Sequence, residues 1–219
     1  GLEFVTNSGG SGGVYYENPI DEPPSIPHAM DDEFTDTFVD EKWSWINQGT
    51  SDWIENSRYG VMDLLSGGDH TRLLVQEAPT GDFTATAKLT VLGPKANYYN
   101  FGISLYNSAN GRRIVFGKCC RSGYSGIQAI KFTSNTSYSS DAYLVGGWDS
   151  IFIYVRIRKE GTSYYLDLST DGDFWWQIFS ESISTFLSAI SHVGVGYFRN
   201  NSSGVTYRGR CEWFRVTEP

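Results

Sequence analysis

Cysteine is scarce in this chain: Cys119, Cys120 and Cys211 are three among 219 residues. An odd number permits at most one internal disulfide, so no framework of bridges defines the fold. Cys119 and Cys120 make a poor pair, because adjacent residues of a strand point to opposite faces. No Cys-x-x-Cys or Cys/His cluster has zinc spacing, and three buried thiols are the expectation. Charge is also sparse. Asp, Glu, Lys and Arg make up 19% of the chain, with 17 basic against 25 acidic residues and a net charge of −8. The basic residues form small groups, such as Arg112, Arg113, Lys118, Arg121 and Arg156, Arg158, Lys159, and no long block, so a nucleic-acid backbone is disfavoured as a partner. No apolar run is long enough for a membrane-spanning helix, and no basic-then-apolar signal pattern opens the chain.

Catalytic signatures are missing as well. There is no serine nucleophile elbow, and His28, His70 and His192 stand apart from any triad spacing. Gly111 and Gly117-Lys118 imitate a phosphate-binding loop, but the pattern ends in Cys119 and lies within a predicted strand.

Aromatic residues are abundant: 7 Trp, 14 Tyr and 13 Phe make up 16% of the chain, which suits strands with buried faces. Apolar alternation broken by Gly, Asn, Ser or Pro predicts strands at Trp43–Gln48, Tyr59–Leu65, Thr71–Glu77, Phe83–Leu92, Tyr98–Tyr106, Arg113–Cys119, Gly126–Phe132, Ile151–Lys159, Ser163–Ser169, Trp175–Phe179, Val193–Arg199 and Val205–Val216. A dozen strands with one helical turn near Ser184–Ala189 imply two packed antiparallel sheets. Residues 1–30 read differently. A Gly/Ser-rich piece at 8–13 and a Pro-rich piece at 22–27 form a flexible or extended N-terminal arm, with Tyr15 and Tyr16 as anchors or as cover for their own domain. Residues 31–219 form the folded domain.

Strand parity separates core from surface. Phe83, Ala85, Ala87, Leu89 and Val91 oppose Thr84, Thr86, Lys88 and Thr90. Tyr99, Phe101, Ile103 and Leu105 oppose Tyr98, Asn100, Ser104 and Tyr106, and Ile153, Val155 and Ile157 oppose Tyr154, Arg156 and Arg158. The second set is mixed aromatic and polar. A sugar ring offers C–H patches to an aromatic face and hydroxyls to Asn, Asp and Arg, so Tyr98, Asn100, Tyr106, Tyr154, Arg156, Tyr165 and Asp167 are candidate glycan contacts. Trp148, in a turn-rich segment, is the candidate loop aromatic. The same residues also suit packing beneath a loop or against another subunit, as in a homo-oligomer.

Two segments carry a family resemblance. Ser169-x-Asp171-Gly172-x-x-Trp175, between the alternating runs at 164–168 and 175–179, reads as a hairpin with an Asp-Gly turn. Asp31-Asp32-Glu33-Phe34 followed by Lys42-Trp43-Ser44-Trp45 reads as an acidic strand before a Trp-containing one. Together they resemble concanavalin A-like lectin/glucanase domains over about Asp31 to Thr217. The resemblance implies an all-β, two-sheet antiparallel jelly-roll sandwich. Retaining glucanases of that superfamily carry Glu-x-Asp-x-x-Glu, which sets two carboxylates at the separation retaining hydrolysis uses. This chain has no Glu-x-Asp, so no catalytic residue and no cofactor are expected. Asp31, Asp32, Asp36 and Asp40 either join a calcium site of the kind relatives use or solvate an edge strand, and no metal is assigned to them.

With its linker-like arm, the chain is similar to domains appended to phage tail, fibre and other virion proteins. That likeness implies a non-catalytic module on the virion surface or outside the cell. Its partners would be a glycan or cell-surface polysaccharide and, through the arm, other virion proteins. A purely structural decoration protein and an accessory module of a glycoside hydrolase are the alternatives.

Overall fold

A computed structural model describes residues 27–56, 58–64, 70–92, 98–121, 123–148, 150, 152–200 and 207–219. The first 26 residues of the expected arm, Tyr15 and Tyr16 among them, lie outside the described residues, as do Leu65, Ile151 and Val205 at expected strand ends. Residues 27–30 join the fold: Met30 packs on the core, and its carbonyl accepts a 2.9 Å bond from the Gln76 amide.

Fourteen strands follow in chain order: β1 (Ser44–Ile46), β2 (Trp53–Asn56), β3 (Tyr59–Leu64), β4 (His70–Glu77), β5 (Phe83–Leu92), β6 (Tyr99–Tyr106), β7 (Arg113–Arg121), β8 (Tyr124–Phe132), β9 (Tyr138–Gly146), β10 (Phe152–Glu160), β11 (Ser163–Ser169), β12 (Trp176–Ser182), β13 (His192–Arg199) and β14 (Tyr207–Thr217). They form two seven-stranded antiparallel sheets, a first in the order β1-β4-β13-β6-β7-β8-β9 and a second in the order β12-β11-β10-β5-β14-β3-β2. Helix among the described residues is limited to one 3₁₀ turn, Ile183–Thr185. All twelve expected strands are present, and β2 and β9 are additions.

The core lies between the sheets and is built by the expected parity. Phe101, Ile103 and Leu105 from β6 meet Ala85, Ala87 and Leu89 from β5 and Ile153, Val155 and Ile157 from β10. Cys119, Cys120 and Cys211 are all buried thiols with no disulfide among them.

Two local expectations need correction. The Asp-Glu-Phe segment is not a strand. Asp32 makes a single bridge to Phe214, after which Phe34 turns to φ 50° and drives its ring between Trp43 and Trp53. The β11–β12 hairpin exists, but its connection runs over residues 170–175 and not through a two-residue turn. Gly172 alone takes positive φ there, at 84°, while the Asp171 carboxylate accepts bonds from the Asp173 and Phe174 amides.

The acidic opening is spent on structure. Asp32 accepts from the Phe34 amide at 2.8 Å and the Trp43 indole at 2.7 Å, and Asp31 accepts from the Val216 amide at 2.7 Å. Among the described residues no cluster of three or more His, Cys, Asp or Glu is placed to hold a metal ion.

Beside this corner sits Glu55 on β2, 6% exposed, whose Oε1 accepts from the Trp53 indole at 2.9 Å. Burial pushes its pKa up to about 8, with the neighbouring Asp36 carboxyl adding to the rise. Oε2 has no donor among the described residues, and two carboxylates can bond each other only through a shared proton. The folded state therefore favours protonated Glu55. This stabilisation is complete below the unfolded pKa near 4.5 and is lost as pH rises through about 8. Glu55→Gln keeps the acceptor for Trp53 and supplies a permanent donor to Asp36. Its thermal midpoint should match the parent at pH 5 and exceed it at pH 8.5; an equal midpoint at both would show that Glu55 is not proton-linked.

A second polar group is enclosed between the sheets. Lys131, on the core face of β8 and 6% exposed, bonds both Glu181 oxygens at 2.7 and 2.8 Å. The Tyr164 hydroxyl donates to Glu181 at 2.7 Å, and the ammonium lies 5.4 and 5.1 Å from the Phe179 and Phe186 ring centroids. Burial and the Glu181 carboxylate push the Tyr164 hydroxyl far above its ordinary range, so it remains a donor.

The first sheet is strongly coiled. Register aligns Phe132 on β8 with His192 on β13, six residues from Phe198. A flat sheet would separate Phe132 from Phe198 by about 14 Å across the strands and about 20 Å along them. Their rings are 5.0 Å apart. Along the same diagonal, Arg113 on β7 donates to the Thr71 hydroxyl at 3.3 Å, and the Thr71 amide donates to Asn135 in the β8–β9 loop at 2.8 Å. The outer face of this sheet is thus concave. Gly102 and Gly117, paired with each other, permit the coil, since a Cβ on either would fall on a backbone carbonyl of the opposite strand.

Candidate functional site

The concave face divides into a filled part and an open part. Leu73, Val75, Val115, Ile130, Phe132 and Phe198 pack into a second small core, joined by Ile46 and Tyr106. The open part lies over the ends of β6 to β9. There Tyr98, Arg121 and Tyr124 stand level on neighbouring strands, with Asn100, Cys119 and Gly126 in the next row and Gln128 and Leu144 beyond. A recess of about 230 Å³ is lined by Cys119, Arg121, Tyr124, Gly126, Leu144, Val145 and Gly146.

Side chains around the recess are unusually exposed for apolar ones: Tyr98 at 40%, Tyr124 at 68%, Tyr138 at 52% and Leu144 at 42%. They form a rim of ring faces and edges around a polar centre. The Arg121 guanidinium pairs with Asp141 on β9, a contact that the diagonal coil makes possible. Asp141 also accepts from the Gln128 amide at 2.8 Å. The fully buried Asn100 donates to the Gln128 carbonyl at 2.9 Å, while no donor among the described residues reaches its Oδ1. Asn100 is not among the residues that line the recess, and its amide braces the strands behind it.

Electrostatics keep the groups in fixed roles. The bond to Asp141 raises the Arg121 pKa, so the guanidinium is a permanent cation in the site. Burial and then Asp141 raise the Tyr138 hydroxyl, which stays a neutral donor. Burial, then the Cys120 thiol, pushes Cys119 up to about 12, so its sulfur is an inert thiol and not a nucleophile. The site binds through donors, acceptors and ring faces.

The eight expected contacts do not form one site. Tyr98 stands on the rim of this cleft, and Asn100 is fully buried in the next row. Tyr106 shares the concave face but sits at its filled end, stacked under Arg113 at 5.0 Å and against His192 at 5.6 Å. Trp148 is a half-buried residue packed on the core and not a loop aromatic presented to solvent.

Tyr154, Arg156, Tyr165 and Asp167 lie on the outer face of the second sheet, on the far side of the sandwich. Tyr154 and Asp167 are each 1% exposed. Parity placed them off the core but could not see the neighbours that cover them. Tyr154 packs against Phe152 and Trp213, and Lys88 lies 5.5 Å from its ring. Asp167 accepts from Arg156 at 2.8 Å and Arg158 at 2.6 Å, and those guanidiniums stack on Trp175 at 4.3 Å and Tyr165 at 4.7 Å. This face is a braced network whose polar groups are already spent on one another.

Arg121, Tyr124, Tyr138, Asp141 and Gln128 were absent from the expected set. Tyr124 follows a turn at Gly123, and Tyr138 and Asp141 belong to an edge strand with two register shifts against β8, so no clean alternation marks them.

No family model and no curated protein matches the chain. Solved structures do resemble it. A functionally unknown protein from Saccharomyces cerevisiae aligns with a TM-score of 0.63 at 14% identity, over 81% of this chain and 97% of its own. A GH43 protein from Bacillus licheniformis aligns with a TM-score of 0.66 at 18% identity, over 90% of this chain and 41% of its own. The chain therefore spans about two fifths of that protein's length. A legume lectin-like domain from Entamoeba histolytica gives a TM-score of 0.54 at 11% identity, over 81% of this chain and 90% of its own. At such identities the likeness is one of fold: the chain is a two-sheet antiparallel β-sandwich of the kind seen in a lectin-like domain and in part of GH43 proteins.

Proposed function

We propose that this chain is a non-catalytic glycan-binding module and that its site is the open cleft of the first sheet. The observation that carries this is a rim of exposed tyrosines around an Arg121–Asp141 pair, beside a recess of about 230 Å³. Sugars present C–H faces for the rings and hydroxyls that both donate and accept. The fold's appearance in a lectin-like domain and in GH43 proteins supports it. Among the described residues Asp141 is the one carboxylate placed in the cleft, and it is ion-paired, whereas retaining and inverting glycosidases both use two. That supports binding over hydrolysis. The wider setting, a phage virion component displayed at the surface and attached through the N-terminal arm, rests on the resemblance of the opening segment to virion-appended domains.

A glycan array on the intact chain, run beside a reducing-sugar assay, tests the proposal. Binding without sugar release is expected. Tyr124→Ala should weaken binding several-fold, by analogy with the ~0.5–1.5 kcal/mol of an aromatic pair. Arg156→Ala on the opposite face should leave binding unchanged. Loss in Arg156→Ala with none in Tyr124→Ala would move the site to the other sheet. Absence of binding to every glycan would favour a purely structural decoration role.

A further inference from the structure

The cleft is closed at one end, and its shape restricts what can lie in it. Followed across the strands from β9, the open floor passes Leu144, Gln128, Gly126 and Cys119 to Asn100 on β6 and then meets Phe198 on β13. Phe198 is 8% exposed, stacked on Phe132, and backed by Leu73 and Val75 in the second core. The Arg113–Thr71 and Thr71–Asn135 bonds tie the corners of the coil together at that end. The floor from β9 to β6 thus covers three inter-strand steps, about 14 Å, before it stops. The recess of about 230 Å³ suits a single small-sugar unit and its neighbour, not a continuous chain.

The charge in the cleft restricts the ligand further. Arg121 already has its carboxylate, so an acidic sugar would have to displace Asp141, which Gln128 also holds at 2.8 Å. The groups left for a ligand are the rings and hydroxyls of the rim tyrosines Tyr98, Tyr124 and Tyr138 and the apolar side chain of Leu144. Sugar hydroxyls can bond those tyrosine hydroxyls and donate to the remaining lone pairs of Asp141, and the ion pair stays intact.

We propose, resting on the glycan reading of the same cleft, that it takes the terminal one or two residues of a neutral glycan chain and excludes the chain interior. Isothermal titration of the intact chain with neutral gluco-, xylo-, manno- and galacto-oligosaccharides, from mono- to hexasaccharide, tests this beside the matching polymers and oligogalacturonate. In the series that responds, affinity should reach its full value by the disaccharide, and polymer binding should count chain ends and not mass. A cleft open at both ends would instead gain more than about tenfold in affinity from disaccharide to hexasaccharide as further rings stack. Such a gain, or polymer binding that scales with mass, would overturn end recognition while leaving the glycan reading intact. A preference for oligogalacturonate would overturn neutrality. Failure of every series to bind would remove the glycan reading itself, and end recognition with it.

Discussion

Glu181→Ala should lower the unfolding free energy by about 3–5 kcal/mol, because it leaves the Lys131 ammonium enclosed between the sheets without its anion. Lys131 gives both of its short bonds to Glu181, and Tyr164 loses its acceptor in the same variant. The two rings near the ammonium, Phe179 and Phe186, offset only part of this loss, since a cation over a ring recovers ~0.5–2 kcal/mol. Urea unfolding of the single variant beside Lys131→Met/Glu181→Leu separates the loss of a partner from the worth of the pair. The double variant should recover most of the deficit, because an apolar pair of similar volume carries no unmet charge. If the single variant cost less than 1 kcal/mol, on the order of an exposed pair, water would be reaching Lys131 and the group would not be enclosed.

Gly102→Ala should be nearly as damaging by another route, lowering stability by about 3 kcal/mol and abolishing ligand binding together. The added methyl falls on the Phe116 carbonyl, so β6 and β7 must move apart at the centre of the first sheet. Separation there relaxes the coil on which both the Phe132–Phe198 contact and the Arg121–Asp141 pair depend. Equilibrium unfolding and glycan titration on the same preparation give both quantities. The outcome that sinks the idea is a folded variant that binds as the parent does, which would mean the sheet keeps its curvature without this close approach.

Strand parity made most of the sandwich legible in the sequence. Alternation at 83–91, 99–105 and 153–157 sorted core from surface correctly, because β5, β6 and β10 carry no bulge of their own over those residues, the shift beside β5 falling in β14 between Cys211 and Trp213. β9 escaped because its first half, Tyr-Ser-Ser-Asp, is polar and its register shifts twice against β8. β2 is four residues long, and its inward-facing Glu55 reads as a surface residue. The site was only half visible. Parity reports which side of a sheet a residue is on, so it found Tyr98, and by the same rule it nominated Asn100, Tyr154 and Asp167, which are covered. Which outer face is open depends on coil, and the coil comes from a glycine match across two paired strands, Gly102 on β6 with Gly117 on β7. Nothing local to either segment shows that pairing.

The rim and floor of the cleft also differ in how much they can change. On the floor Gly126 tolerates no side chain and Cys119 and Gln128 are buried, whereas Tyr138, Asp141 and Leu144 sit on β9, an edge strand held by β8 alone within its sheet. Substitutions on that strand alter ring faces and hydrogen-bonding groups without touching the close-packed centre. Drift in ligand preference is therefore channelled into one border of the molecule, and a descendant of this chain can acquire a new specificity there while inheriting its curvature unchanged.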